Sequence, residues 1–293
     1  MKITESSYKD IFALKIEGQK YTARVLPSEG AKLASYFDKG RKKEYLVQNP
    51  SEKYIPLGRA GEFERCECSG FDDMFPTIDP TVVDGMEYPD HGEVARASFS
   101  YEIRSDSLFL TYFSEQLGYS YEKTLFEDDD GKLCINYRIE NRNRSPLKAL
   151  FAGHCLVRVE QGGRVIVPFT EGDAIDLVYD TEREPASMPY TSDMLSTVWG
   201  DRPYAKKYYF SGKCREGSVA YEYPSGDRFV LEFDKEKLEY LGIWMDFGKI
   251  NGTYSVGLEP CSLGYDTVQE AKRHGQEKDI EETLEFCLKI SVI

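Results

Sequence analysis

Apolar and polar residues alternate with a period of two along much of the chain. Phe12, Leu14 and Ile16 alternate with Ala13, Lys15 and Glu17, and Leu133, Ile135, Tyr137 and Ile139 alternate with Cys134, Asn136, Arg138 and Glu140. Leu284, Phe286, Leu288 and Ile290 repeat the pattern. Successive side chains of an extended backbone point to opposite faces, so each segment predicts a strand with one buried and one polar side. Residues 95–103, 165–167, 218–223 and 229–233 are rich in Tyr, Phe, Val and Ile, which suit a pleated, half-buried surface. Asp130-Gly131, Gly162-Gly163 and Ser225-Gly226-Asp227 supply turn chemistry between such runs. One helix start stands out at Asp266-Thr267-Val268-Gln269, with Asp266 as cap and an end near His274-Gly275. Many strands with one short helix predict an all-β fold, a large antiparallel sandwich.

Residues 49–90 break the rhythm, carrying Pro50, Pro56, Pro76, Pro80 and Pro89. Proline has no amide to give a sheet, so this segment is expected to be largely loop or edge structure. Its aromatic and methionine content (Phe63, Phe71, Met74, Phe75, Met86) predicts a packed loop that forms the wall of a site. No linker or repeat divides the chain, and one domain over 1–293 is expected.

Charge narrows the function. With 37 Lys+Arg against 51 Asp+Glu, the net charge of −14 repels phosphate backbones and anionic headgroups, so neither nucleic acid nor membrane is an expected partner. No apolar run follows Lys2 to make a secretory signal, and none reaches the roughly 18 residues that a membrane-spanning helix needs. The cysteines at 66, 68, 134, 155, 214, 261 and 287 are odd in number and scattered, which suits reduced thiols and a cytoplasmic setting without a disulfide framework.

Three histidines and three acids merit individual attention. His91, in Tyr88-Pro89-Asp90-His91-Gly92, enters a strand from a loop, and Gly92 is a point where backbone could approach a ligand. Strand parity sets His154 with Arg158 and Glu160, opposite Val157 and Val159, facing either a cleft or solvent. His274 falls where a cation favours a helix C-terminus. Glu259 lies opposite Val256 and Leu258 just before Pro260, a strand-end carboxylate with an ordinary surface role as its alternative. Asp72 and Asp73, flanked by Phe71 and Met74, could face a polar ligand or cap a turn. Cys66-x-Cys68 has the wrong spacing for zinc, the acidic run 127–131 lacks a calcium loop's alternation, and no Gly-rich phosphate or dinucleotide motif is present. No cofactor or metal is therefore expected.

Taken in order, Gly70-Phe71-Asp72-Asp73-Met74-Phe75-Pro76-Thr77, Pro89-Asp90-His91-Gly92-Glu93, Gly153-His154-Cys155 and Leu258-Glu259-Pro260-Cys261 resemble segments of the aldose 1-epimerase, or galactose mutarotase-like, family. The resemblance spans nearly the whole chain. It implies a single β-supersandwich, a sugar site open on one sheet, and cofactor-free interconversion of the α and β anomers of an aldose. It also implies Glu259 as general base, His154 as general acid and His91 as a ligand-binding, oxygen-polarising residue. Asp72, Asp73, Arg65, Trp244 and Asp246 are the further candidates for substrate binding, with Phe71 and Asp201 behind them. The chain departs from well-known galactose mutarotases in being shorter and in its Phe-Asp-Asp-Met-Phe-Pro segment. The expected partner is a monosaccharide, and a homodimer is left open.

Three other readings stay open from the sequence. A hexose-phosphate epimerase calls for converging cations, for which Arg59, Arg65 and Arg96 are candidates. A sugar-binding protein without turnover could keep the same sandwich. A glycoside hydrolase calls for two flanking carboxylates, such as Asp73 and Glu259.

Overall fold

A computed structural model describes residues 1–58 and 61–293. Two large sheets face each other. The wider, twelve-stranded sheet runs, in spatial order, through Lys2–Tyr8, Ile11–Glu17, Tyr21–Leu26, Lys32–Asp38, Phe71–Met74, Ala152–Arg158, Tyr254–Cys261, Tyr240–Phe247, Tyr204–Phe210, Ala174–Asp180 and Ala186–Pro189, with Lys43–Glu44 added beside Lys32–Asp38. The eight-stranded sheet runs through Arg164–Ile166, Ser218–Glu222, Arg228–Phe233, Thr283–Val292, Leu133–Asn141, Tyr119–Glu127, Ser107–Ser114 and Ser100–Ile103. Neighbouring strands in both pair antiparallel. The all-β sandwich expected from the alternation is the observed architecture.

The predicted apolar faces meet between the sheets. Leu133, Ile135, Tyr137 and Ile139 are buried together with Leu284, Phe286, Leu288 and Ile290, and Cys155, Val157, Val256 and Leu258 oppose them from the wider sheet. Tyr137 stacks on Phe286 at 4.7 Å and Phe151 tilts against the same ring at 4.6 Å. Each such side chain removed from water stabilises the sandwich by about 1.5–3 kcal/mol. The runs 128–131 and 225–227 are tight turns, with Gly131 and Gly226 at φ 76° and 90°.

Four local readings need correction. Phe12 is 41 % exposed and stacks on Tyr101 across the surface, while the small Ala13 takes the buried position beside Leu14. The segment 95–103 is a strand only over Ser100–Ile103, because Val94–Arg96 forms a 3₁₀ turn. Within the proline-rich stretch, Phe71–Met74 is a strand inside the wider sheet, between Lys32–Asp38 and Ala152–Arg158. The prolines flank these four residues without entering them, so nothing removes their amides. Finally, the helix Val268–Arg273 is capped by Thr267, whose hydroxyl accepts the Glu270 amide at 3.1 Å. Asp266 does not cap it and is left for another use. Among the described residues no helix is long and apolar enough to cross a membrane.

Candidate active site

Strand register assembles the site. His154 pairs with Asp72 on one side, and the register that matches Ala152 with Cys261 and Cys155 with Leu258 puts Glu259 on its other side. Glu259 in turn pairs with Gly242, Gly242 with Tyr209, and Tyr209 with Asp176. Directly opposed residues share a face, so these side chains form one polar row across the sheet, on the side away from the sandwich core. Apolar clusters flank the row: Met74, Ala152, Cys261 and Tyr240 on one side, Leu156, Phe63 and Ile250 with Trp244 on the other.

Two glycines make room for the central carboxylate. A Cβ on Gly242 would lie 3.1 Å from Glu259 Oε2, and one on Gly257 would lie 3.1 Å from Oε1 and 3.4 Å from His154 Cδ2. With both flanks bare, Glu259 Oε1 stands 3.7 Å from His154 Nε2 and Oε2 stands 3.2 Å from Lys207 Nζ. The first gap is too long for a hydrogen bond and leaves both groups free to address a third. Lys207 also contacts Asp266 Oδ1 at 2.5 Å, the oxygen that accepts the Tyr209 hydroxyl at 2.9 Å.

These groups open onto one cavity of about 410 Å³, within the size range of small-molecule sites. His91, His154, Lys207, Glu259 and Asp266 line it, between two aromatic walls. One wall is Phe63 stacked on His91 at 3.8 Å, and the other is Tyr179 stacked on Trp244 at 5.7 Å. The proline-rich stretch supplies Glu62, Phe63, Glu64, Cys68, Ile78, Asp79 and Asp90, and so walls this cavity.

His91 is held by its own loop. Its backbone is left-handed at φ 57°, its amide donates to Ile78 O at 2.6 Å, and its Nδ1 lies 2.8 Å from Asp90 Oδ1. Burial would raise the Asp90 carboxyl, but the His91 contact, the Phe63 amide and Arg96 hold it below the usual carboxylate range. An ionised Asp90 only accepts, so the proton of this contact sits on His91 Nδ1 and Nε2 is left for the cavity. Gly92 serves the loop and not a ligand: a Cβ there would collide with the Phe75 carbonyl.

Burial dominates the electrostatics. It pushes the Glu259 carboxyl upward, against the pull of Lys207. His154 goes the other way, well below the ordinary histidine value, first through burial and then through His91, Lys207 and Lys32. Its imidazole is therefore neutral at pH 7. Because the folded-state value lies below the unfolded one, the unfolded chain binds this proton first on acidification. The contribution of His154 to stability is full above about pH 6.5 and is lost as pH falls below it. In an NMR titration the His154 ring signals are expected to keep their neutral positions through pH 6.5; an inflection there would contradict this assignment.

Not every predicted contact reaches the cavity. Asp72 stands behind His154, 2 % exposed, with Oδ2 3.1 Å from Lys32 Nζ. Asp73, one residue on, points to the opposite face and lies between the sheets, bonded to Lys123 at 3.0 Å and to the Tyr137 hydroxyl at 2.9 Å. Adjacent strand residues cannot share a face, so Asp73 and Glu259 do not make the carboxylate pair of a glycosidase. Arg65 projects into solvent beside Glu62, and Phe71 is buried in the core. Asp246 accepts the Lys249 and Ile250 amides at 2.8 and 3.1 Å and closes a hairpin; burial raises its carboxyl to about 7. Asp201 is exposed in a turn. Arg96 is turned onto the carbonyls of Gly58, Asp90 and Gly92, and Arg59 lies outside the described residues. Lys207 and Asp266 are the members that sequence reasoning missed. A lysine in Tyr204-Ala205-Lys206-Lys207-Tyr208 gives no signal beyond its parity with Tyr209. Among the described residues no cluster of three or more His, Cys, Asp or Glu is arranged to hold a metal.

No protein-family model matches the sequence, and no curated protein matches it significantly. Solved structures do match. A galactose mutarotase-like protein from Clostridium acetobutylicum superposes with a TM-score of 0.68 at 14% identity, over 100% of this chain and 98% of its own. A candidate aldose 1-epimerase from Klebsiella pneumoniae gives 0.75 at 14% identity, over 98% and 81%. A galactose mutarotase-like protein from Lactobacillus casei gives 0.63 at 15% identity, over 96% and 100%. At such identities the likeness is one of architecture, and with the two-sheet topology above it establishes that this chain has the galactose mutarotase-like fold.

Proposed function

We propose that the chain is an aldose 1-epimerase, opening and reclosing the ring of a free sugar by acid–base chemistry. The observation that carries this reading is the meeting of His154 and Glu259, 105 positions apart in sequence, at 3.7 Å beside one cavity. Ring opening removes the proton from the C1 hydroxyl and supplies one to the ring oxygen, and both oxygens hang on one carbon. Two close, unbonded groups suit that pair. Glu259, raised by burial yet next to an ammonium, is the base. His154 presents a neutral imidazole that can polarise the ring oxygen by hydrogen bonding without carrying a full charge. His91 lines the same space, and the Phe63 and Trp244 walls suit the C–H faces of a sugar.

The charge of the cavity favours an unphosphorylated sugar. Among the described residues, Glu62, Glu64, Asp79, Asp90, Glu259 and Asp266 line it against one ammonium, Lys207, which is already paired with two of them. Phosphate binding wants convergent, available cations, and neither Arg65 nor Arg96 offers a free guanidinium here. Polarimetry or NMR of freshly dissolved free aldoses and of hexose 6-phosphates tests both points. At least one free aldose is expected to equilibrate far faster with the protein than without it, and the phosphates with little or no acceleration. No acceleration of any sugar would leave a binding protein as the better reading.

A further inference from the structure

Lys207 has so far served only as a charge beside Glu259, yet it stands against the groups that would handle protons. It is 8 % exposed, lines the cavity, and reaches Glu259 and Asp266 at 3.2 and 2.5 Å. A buried ammonium is costly without partners, and this one holds its position by touching the base itself. We propose that Lys207 is a further catalytic residue: Glu259 takes the proton of the C1 hydroxyl while Lys207 delivers one to the ring oxygen, the two acting as a single proton-exchanging pair. This rests on the aldose 1-epimerase reading.

The transfers balance. The O1–H electron pair becomes the second bond of C1=O1 as its proton goes to Glu259. The C1–O5 bond breaks, its electrons pass to O5, and O5 takes a proton from Lys207 Nζ. The pair is then carboxyl and amine. After rotation about C1–C2 the steps reverse: the amine reclaims the O5 proton, the carboxyl reprotonates O1, and the protein is restored. Burial alone would lower the Lys207 ammonium, but Asp266 and Glu259 hold it above its ordinary range. When Glu259 is neutralised by its incoming proton, one of those two anions vanishes, so Lys207 becomes a stronger acid at the moment a proton is needed. His154, held neutral, keeps the part of hydrogen-bond donor. Lys207 is faced by Glu259, by Asp266 with Tyr209, and more distantly by Asp79 and His154.

The test uses the full chain, D-glucose and D-galactose as substrates, and their methyl glycosides, which cannot open, as binding probes. Lys207→Met and Lys207→Arg are both expected to lower kcat by about 100-fold or more while methyl glycoside binding changes little, because arginine keeps the charge and gives up no proton. Asp266→Asn removes an anion from Lys207, so the alkaline limb of the kcat profile is expected to move to lower pH. Recovery of the rate in Lys207→Arg, or an Asp266→Asn enzyme whose alkaline limb stays in place, would overturn the proposal. If the lysine variants fail to fold, the Asp266→Asn profile decides alone. Glu259→Gln in the same assay separates the two levels: its loss of activity beside fully active lysine variants rejects Lys207 only, whereas full activity in Glu259→Gln rejects the reading underneath.

Discussion

Replacing Glu259 by glutamine is expected to reduce kcat for anomer interconversion by about 10² to 10⁴-fold, the range of a lost general base. The fold should be untouched. Glutamine has the same shape, Gly242 and Gly257 still leave space for it, Asp266 keeps the Lys207 ammonium paired, and exchanging a fully buried carboxylate for an amide relieves a desolvation cost. The unfolding midpoint is therefore expected to stay level or rise while turnover falls, a separation measurable by pairing urea denaturation with NMR exchange between anomer signals. A midpoint that collapses together with the rate would mean that Glu259 chiefly braces Lys207.

The largest stability effect is expected on the other face of the sheet. Lys123 and Asp73 form an ion pair, 1 % and 0 % exposed, closed by the Tyr137 hydroxyl and the Ala31 carbonyl. Lys123→Met leaves the carboxylate buried opposite a thioether, and breaking a buried pair from one side costs about 3–5 kcal/mol. Adding Asp73→Leu and Tyr137→Phe removes the stranded polar groups and is expected to recover most of that loss. A Lys123→Met protein as resistant to urea as the parent would show that the pair contributes nothing.

The sandwich was legible in the sequence because period-two alternation reports directly which side of a strand meets the core. Leu133 to Ile139 and Leu284 to Ile290 fall where that pattern puts them. His154 was legible for the same reason, since parity opposed it to Val157, which is buried between the sheets. The prolines of 49–90 point to loop, where parity says nothing, so the sequence does not separate Asp72 from Asp73 although the sheet sends them to opposite sides. Asp266 was misread because aspartate and threonine are both good caps; Thr267 took the role, and the freed carboxylate found Lys207. That partnership joins strands and loops remote in sequence and depends on the whole sheet, so no local pattern announces it.

The file of Asp72, His154, Glu259 and Tyr209 carries a further implication for how the wider sheet settles. A slip of any one of these strands by a single step would swing its polar member into the hydrocarbon interior and turn a core-facing neighbour, such as Cys155 beside His154, Leu258 beside Glu259 or Phe210 beside Tyr209, out to the cavity side. Misaligned sheets would thus be penalised at both surfaces together. The polarity of this file proofreads strand alignment, and a molecule that has found the right alignment has brought His154 and Glu259 together in the same event.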